Sequence, residues 1–228
     1  MAFATKKARV INVVLGFALV GLVFAAAGTF RWPAFWVLLG VYDGALIGLM
    51  FWLKRRDPAL LKERMAGAAR PGIKPWDRKI LRAYTVLLGV MLIVAPLDAV
   101  RFRWSRVPLG VQGLALLGML AAGALLMGVF RENTFLAEYV RIQGERGHAV
   151  CTTGPYRIVR HPMYVGIIVT VLCVPVMLGS LYALIPAGLI TGLFVLRTAL
   201  EDRTLQKELP GYADYARSVR WKLLPKIW

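Results

Sequence analysis

Apolar runs of bilayer length, separated by short polar stretches, dominate the 228-residue chain. Runs at about 10–28, 34–53, 80–99 and 109–130 each approach or exceed the roughly 20 residues that a helix needs to cross a hydrocarbon core. Two further runs, at about 163–178 and 182–198, are shorter, contain Pro175 and Pro186, and are separated only by Gly179 to Leu181. At 1.5 Å per residue they reach about 24 to 26 Å, which predicts a tight helical hairpin that either barely crosses or re-enters. The pattern predicts an all-α, polytopic membrane helix bundle of about six spans with a short C-terminal hairpin. Residues 1–79 supply an N-terminal pair of spans with a connector, and residues 80–228 the core.

The stretches between the runs sharpen that picture. Residues 54–79 mix basic side chains with Leu60, Leu61, Met65 and Trp76, and Pro58, Pro71 and Pro75 interrupt any long helix. An interfacial connector is expected there. After the fourth run, FRENTFLAEYVRIQGERGH places Phe135, Tyr139 and Ile142 at helical spacing, so the helix is expected to continue out of the membrane. Within the second run, Gly40, Gly44 and Gly48 give a four-residue small-residue spacing that predicts close approach of another helix. Asp43 sits in the middle of the same run. A carboxylate there costs about 2.5 to 3.5 kcal/mol on insertion scales, so a hydrogen bond to a neighbouring helix or a place in a substrate cavity is expected.

A formal charge of +17 from 29 Lys and Arg would suggest nucleic acid in a soluble protein. Here all the basic residues except Arg31, Arg101, Arg103 and Arg106 fall on one side of the six runs. The positive-inside rule makes that side cytoplasmic and places both termini there. The charge is then topology plus attraction to anionic membrane lipid, and no nucleic acid partner is expected. The seven tryptophans lie near run ends or in loops, as interfacial anchors do. Cys151 and Cys173 form neither a disulfide framework nor a metal-ligand spacing, and read as free thiols. The first apolar run is longer than a signal-peptide core, so it is expected to stay as a span.

The densest chemistry is GPYRIVRHPMYVG, residues 154–166, where a polar loop enters the fifth run. Pro162 suits the first turn of a helix, so Arg160 and His161 stand at its mouth beside unpaired backbone N–H groups. With Arg157 nearby, this is a place for an anion, although such arginines also simply hold lipid headgroups. At the other end of the hairpin RTALEDRTL offers Arg197 and Glu201 on one helical face, with Asp202 next to them. Both ends return to one interface, so an anion site and an acidic site can confront one another, which suits a zwitterion.

GHAVCTTGPYRIVRHPMYVG, the hairpin, R-x-x-x-E-D-x-x-L and the closing GYADY with Pro225 together resemble the isoprenylcysteine carboxyl methyltransferase and phospholipid methyltransferase superfamily of integral-membrane enzymes. The resemblance covers about residues 130–228 and centres on Gly154, Tyr156, Arg160, His161, Pro162, Tyr164 and Gly166. It implies S-adenosylmethionine bound at the cytoplasmic face between the RHP loop and the helix after the hairpin, with a lipid-like substrate entering from the bilayer. It further implies cofactor contacts from Thr153, Gly154, Pro155, Tyr156 and His161. Glu201 would take the cofactor's amino group and Tyr156 or Tyr164 would stack near its adenine or sulfonium. Where relatives have two glutamates this chain has Glu201 and Asp202, which leaves the second acid's role open.

Methyl transfer from a sulfonium is an in-line displacement that needs alignment and exclusion of water. A carboxylate acceptor is ionised at pH 7 and needs an arginine to orient it, whereas an ammonium acceptor first needs a base. Arg157, Arg160 and Arg197 serve the first case; His148, Glu138 and Glu132 are the bases on offer for the second. The reading is therefore methyl transfer to a lipophilic, membrane-embedded acceptor, a carboxylate in preference to an amine. The competing readings are a sterol-type membrane reductase using a nicotinamide cofactor, and a non-enzymatic carrier or assembly protein. The sequence does not choose an oligomeric state.

Overall fold

The computed structural model describes residues 6–228, with side chains from residue 14 onward, so the side chains of Lys6, Lys7 and Arg9 on the basic face lie outside the described residues. The described residues are helical with no strand. The helices are α1 (Lys6–Ala27), α2 (Pro33–Arg56), α3 (Pro58–Ala66), α4 (Pro75–Pro96), α5 (Leu109–Glu132), α6 (Pro162–Met177), α7 (Leu184–Glu208) and α8 (Tyr212–Ser218). Four helical stretches are long and apolar enough to cross a membrane: α2, α4 with its extension to Phe102, α5 and α7. Val14–Ala27 of α1 and the 16-residue α6 are shorter apolar helices. The chain is an integral membrane protein.

Proline sets most of the helix starts. Pro33, Pro58, Pro75 and Pro162 each occupy the first turn, where the missing N–H would have had no partner. Pro96 instead lies at the end of α4, and the chain continues as a π-helical stretch, Leu97–Phe102, that absorbs the lost backbone bond. Asp98 in that stretch is fully buried. Its carboxylate accepts from Ser105 N and Oγ, Ser180 Oγ and Tyr182 N at 2.6 to 3.1 Å. It pins the α6–α7 turn to the end of α4.

The tightest helix pair is α5 with α6. A methyl group on Gly166 would come within 2.8 Å of Leu126 Cγ, and one on Gly118 within 2.9 Å of Cys173 Sγ, so both glycines permit close packing. The α2 glycines do the opposite of what their spacing predicts. Among the described residues nothing lies within 4 Å of a Cβ placed on Gly40, Gly44 or Gly48, because α2 meets the bundle through Phe35, Leu38 and Leu53 instead. Asp43 is likewise exposed on α2. It makes no hydrogen bond among the described residues and does not line the cavity described below.

Two apolar clusters organise the molecule. The larger joins Val23 and Phe24 of α1, Phe35 of α2, Met91 and Ala95 of α4, and Ile190 and Phe194 of α7. The smaller joins Leu53, Leu60, Val129, Phe130, Leu136, Tyr156, Leu209, Tyr212 and Tyr215. The smaller cluster closes one end of the bundle around a non-helical loop, 133–153, interrupted only by the short turn Gly144–Arg146. The expected continuation of α5 therefore stops at Glu132. Asn133 leaves helical geometry, its Oδ1 accepting from Phe135 N at 2.8 Å, and such local side-chain-to-backbone bonds compete with the helix ladder.

Candidate functional site

The loop 133–153 is drawn down onto the helix ends by buried acids. Asp77, in the first turn of α4, has no exposed surface. It accepts from Val140 N at 2.7 Å and from Arg197 Nε and Nη2 at 2.7 and 3.1 Å. Arg197 Nη2 also donates to the Glu138 carbonyl at 2.7 Å. Although Arg197 and Glu201 share a helical face, Arg197 pairs over long range with Asp77. Among the described residues Arg197 Nη1 makes no hydrogen bond, so one arm of the fork stays available.

Asp202 builds a second lock. One helical step from Glu201, about 100° around α7, it turns away from the loop and towards the start of α6. It accepts from Arg160 Nε and Nη2 at 2.8 and 3.0 Å, from Tyr212 Oη at 3.1 Å and from Gln206 Nε2 at 2.8 Å. His161 Nε2 lies 3.3 Å away. Arg160 Nη1 donates to the carbonyls of Ala216, Val219 and Arg220. Every nitrogen of that guanidinium is thus committed to the protein. The backbone N–H groups of Arg160 and His161 bond the carbonyls of Trp221 and Lys222, so the segment after α8 covers the α6 entrance.

Between the two locks lies a cavity with about 750 Å³ of empty space, open solvent at its mouth included. Its wall brings together Tyr156, Arg160, His161, Tyr164, Arg197 and Glu201 from the sequence reading. Tyr164 stacks parallel to His161 with centroids 5.8 Å apart, and its hydroxyl donates to Glu201. Arg197 lies 5.2 Å from the Tyr164 ring centre. His161 and Glu201, 40 positions apart, therefore share one wall.

Other expected residues lie elsewhere. Arg157 is exposed and outside the cavity wall. Thr153, Gly154 and Pro155 form the turn beneath Tyr156, also outside the wall. Gly154 has φ +54°, and a Cβ there would lie 2.6 Å from Glu132 Cγ, while Thr153 donates to the Glu132 carboxylate. This turn positions Tyr156, whose hydroxyl accepts from Asn133 Nδ2 at 2.9 Å. Burial pushes the phenols of Tyr156, Tyr212 and Tyr215 well above the ordinary tyrosine value, so they remain neutral donors.

Asn133, Phe135, Tyr139, Val140, His148 and Val150 also line the wall, with Tyr212 and Tyr215 from α8. Tyr212 and Tyr215 sit in the GYADY stretch, and His148 and Val150 in the GHAVC stretch, that carried part of the resemblance; Phe135 and Tyr139 had only their helical spacing to announce them, which pointed to the wrong structure. Asp77 is one of three acids in the basic connector, with Asp57 and Glu63, and nothing in the sequence links it to Arg197. His148 rests against Phe135, with centroids 4.7 Å apart, and its Nδ1 accepts from Gln143 N at 3.3 Å. Burial, then the charges of Arg141 and Arg146, lower its pKa from 6.5 to about 4. Among the described residues no group of three or more His, Cys, Asp or Glu is placed to hold a metal ion.

A stretch of 107 residues is 35% identical to the cobalt-zinc-cadmium resistance protein CzcN of Cupriavidus metallidurans. It covers 46% of this chain and 46% of that relative, so the match spans about half of either protein. Residues 114–207, which contain α5 from its second turn, the loop, α6 and nearly all of α7, match the model of the isoprenylcysteine carboxyl methyltransferase family, the superfamily that the RHP motif resembles.

Proposed function

We propose that the chain is an S-adenosylmethionine-dependent methyltransferase whose acceptor is a carboxylate on a lipophilic, membrane-held molecule. The observation that carries this reading is that Arg197 and Glu201 face one cavity among aromatic rings, in a lining that also holds Arg141, Arg160 and His161. One guanidinium arm and one carboxylate fit the amino-acid end of a cofactor or the carboxylate of an acceptor. Tyr164, Phe135 and Tyr139 offer rings for its cationic or flat parts. When bound, S-adenosylmethionine supplies a methyl group on a sulfonium that is open to in-line displacement.

The chain's own part is to bind, orient and keep out water. Glu201 accepts an ammonium while the Tyr164 hydroxyl holds its other side. Arg197, aligned by Asp77 and the Glu138 carbonyl, turns Nη1 towards a carboxylate. Arg160 keeps a positioning role because its donors are consumed by Asp202 and three carbonyls. The carboxylate acceptor is favoured because the bases expected for an amine are poorly placed. Glu132 is bound to Thr153, Glu138 is exposed outside the wall, and His148 has a lowered basicity. The match of residues 114–207 to a methyltransferase family supports the same reading.

The test is titration of the detergent-purified chain with S-adenosylhomocysteine and, separately, with a reduced nicotinamide cofactor. Single-turnover methyl transfer to an isoprenylated cysteine with a free carboxylate follows. Binding of the homocysteine compound, weakened roughly ten- to a hundredfold by Glu201→Gln, is expected. The methyl-transfer rate is expected to be nearly flat from about pH 6 to 8, since a carboxylate acceptor is ionised throughout. Binding of the nicotinamide alone, or a rate that climbs steeply across that range, would overturn the reading.

A further inference from the structure

The α2–α3 elbow is basic on its outer side and fastened to the cavity on its inner side. Outward stand Lys54, Arg55, Arg56 and Lys62, all exposed and none in an ion pair among the described residues. Arg55 lays its guanidinium over the exposed Phe51 ring at 4.0 Å, and Met65, 53% exposed, shares the Lys62 face at i+3. Basic heads beside apolar side chains that can enter the acyl boundary are what an interfacial helix offers an anionic bilayer.

The acids of the same element point the other way. Asp57 caps α3 through Leu60 N at 2.9 Å and accepts the Thr134 hydroxyl. Glu63, 2% exposed, bonds Arg141 Nε at 2.8 Å and has Arg70 Nε at 2.9 Å. Arg64 Nη1 donates to the Leu136 carbonyl at 3.1 Å and its guanidinium lies 5.0 Å from the Phe130 ring centre. Leu60 is fully buried in the smaller apolar cluster with Leu136 and Tyr156. Leu136 and Arg141 both line the cavity. Glu63 is paired with Arg141 and Arg70 and Asp57 is engaged by Leu60 and Thr134, so neither acid pairs with the outer cations, and three separate contacts join α3 to one wall of the site.

We infer that the α2–α3 elbow is an anionic-lipid sensor for the cavity: acidic phospholipid headgroups held by Lys54, Arg55, Arg56 and Lys62 fix α3, and α3 fixes the loop wall at 134–141. Juxtamembrane basic residues near an acidic surface are each attracted to it, and the attraction adds up over the cluster. A ligand shifts an equilibrium only by its differential affinity for the two states. The headgroups supply that difference, because they meet all four cations together only when α3 is docked. The consequence for ligand affinity rests on the proposed function; the mechanical coupling does not.

The test reconstitutes the full chain in nanodiscs of phosphatidylcholine alone or with phosphatidylglycerol, and follows amide hydrogen exchange over residues 57–66 and 133–146. S-adenosylhomocysteine affinity is measured in parallel. Phosphatidylglycerol is expected to slow exchange in both segments and to tighten affinity by about fivefold or more, the lower end of ordinary coupling. The combined variant Arg55→Gln, Arg56→Gln and Lys62→Gln is expected to lose both effects. Lys54, Arg78, Lys79 and Arg82 remain in that variant to preserve topology. Equal exchange in the two lipids, protection of 57–66 without 133–146, or an undiminished effect in the variant would each overturn the sensor. Soluble glycerol phosphate, added to phosphatidylcholine discs, is expected to have no effect; protection by it would overturn the assignment to membrane lipid. If S-adenosylhomocysteine binds in neither lipid the proposed function fails, and the exchange result still decides the sensor.

Discussion

Arg197 keeps a full charge with only 3% of its surface exposed because Asp77, itself fully buried, lies against two of its nitrogens. Removing one member of such a pair leaves the other uncompensated, at a cost of about 3 to 5 kcal/mol. Asp77→Asn is therefore expected to lower the unfolding free energy by that order, measured by denaturant titration in detergent. Asp77→Asn with Arg197→Met is expected to recover part of the loss, since neither charge is then stranded. Equal stability of parent and single variant would show that the pair is not a fixed contact. His148 makes a different prediction. Between pH 6.5 and about 4 the unfolded chain binds a proton that the folded chain refuses, because burial and then Arg141 and Arg146 hold the imidazole neutral, with Glu145 only partly opposing them. Stability from this group is complete above the window and falls as pH drops through it. His148→Gln is expected to flatten the decline in melting temperature over that window, and an unchanged decline would place its origin in other groups.

At the scale of elements, the hairpin and the segment after α8 act as one unit through Arg160. Arg160→Gln breaks the two-pronged Asp202 contact and three carbonyl bonds, so a loss of about 3 to 5 kcal/mol is expected. Arg157→Gln, in the same motif but exposed, is expected to stay within about 0.5 kcal/mol. Denaturation curves for the two variants check the contrast, and similar losses in both would contradict the burial difference. These two arginines also show where sequence reading stops. The helices were legible because apolar length and helix-starting prolines are local signals, and α2, α4, α5, α6 and α7 begin within about five residues of their expected positions. The convergence of His161 and Glu201 was legible because a short hairpin returns its ends to one level. Which arginine is consumed by structure was not, because Asp77 lies 120 positions from Arg197 and Asp202 lies 42 from Arg160. The loop 133–153 failed for a further reason. Its apolar residues keep helical spacing while Asn133 ends the helix by bonding its own neighbourhood.

On the scale of the whole molecule, burial is uneven: only 11% of the apolar window of α2 is buried, against 33% of that of α7. The helices that hold the cavity are thus knitted together, and α2 stands at the edge, attached by its two ends to the aromatic group at Phe24 and to α3. Asp43 lies in the exposed middle of this edge helix, where the expected bond to a neighbouring helix is not made among the described residues. Among the described residues no contact then depends on its carboxylate, while its place at mid-span carries the cost of a polar group in lipid. Insertion scales set a central Asp at about +2.5 to +3.5 kcal/mol and a central Leu at about −0.3 to −0.6. Asp43→Leu is therefore expected to favour membrane insertion of α2 by roughly 3 kcal/mol, and to leave S-adenosylhomocysteine affinity unchanged. Glycosylation-mapped insertion of the isolated α2 segment measures the first, and titration of the full variant in detergent measures the second. A folded Asp43→Leu protein with weakened affinity would show that the α2 face reaches the cavity. A fall in the yield of the folded full chain, despite better insertion of the segment, would show that a partner in the membrane normally covers Asp43.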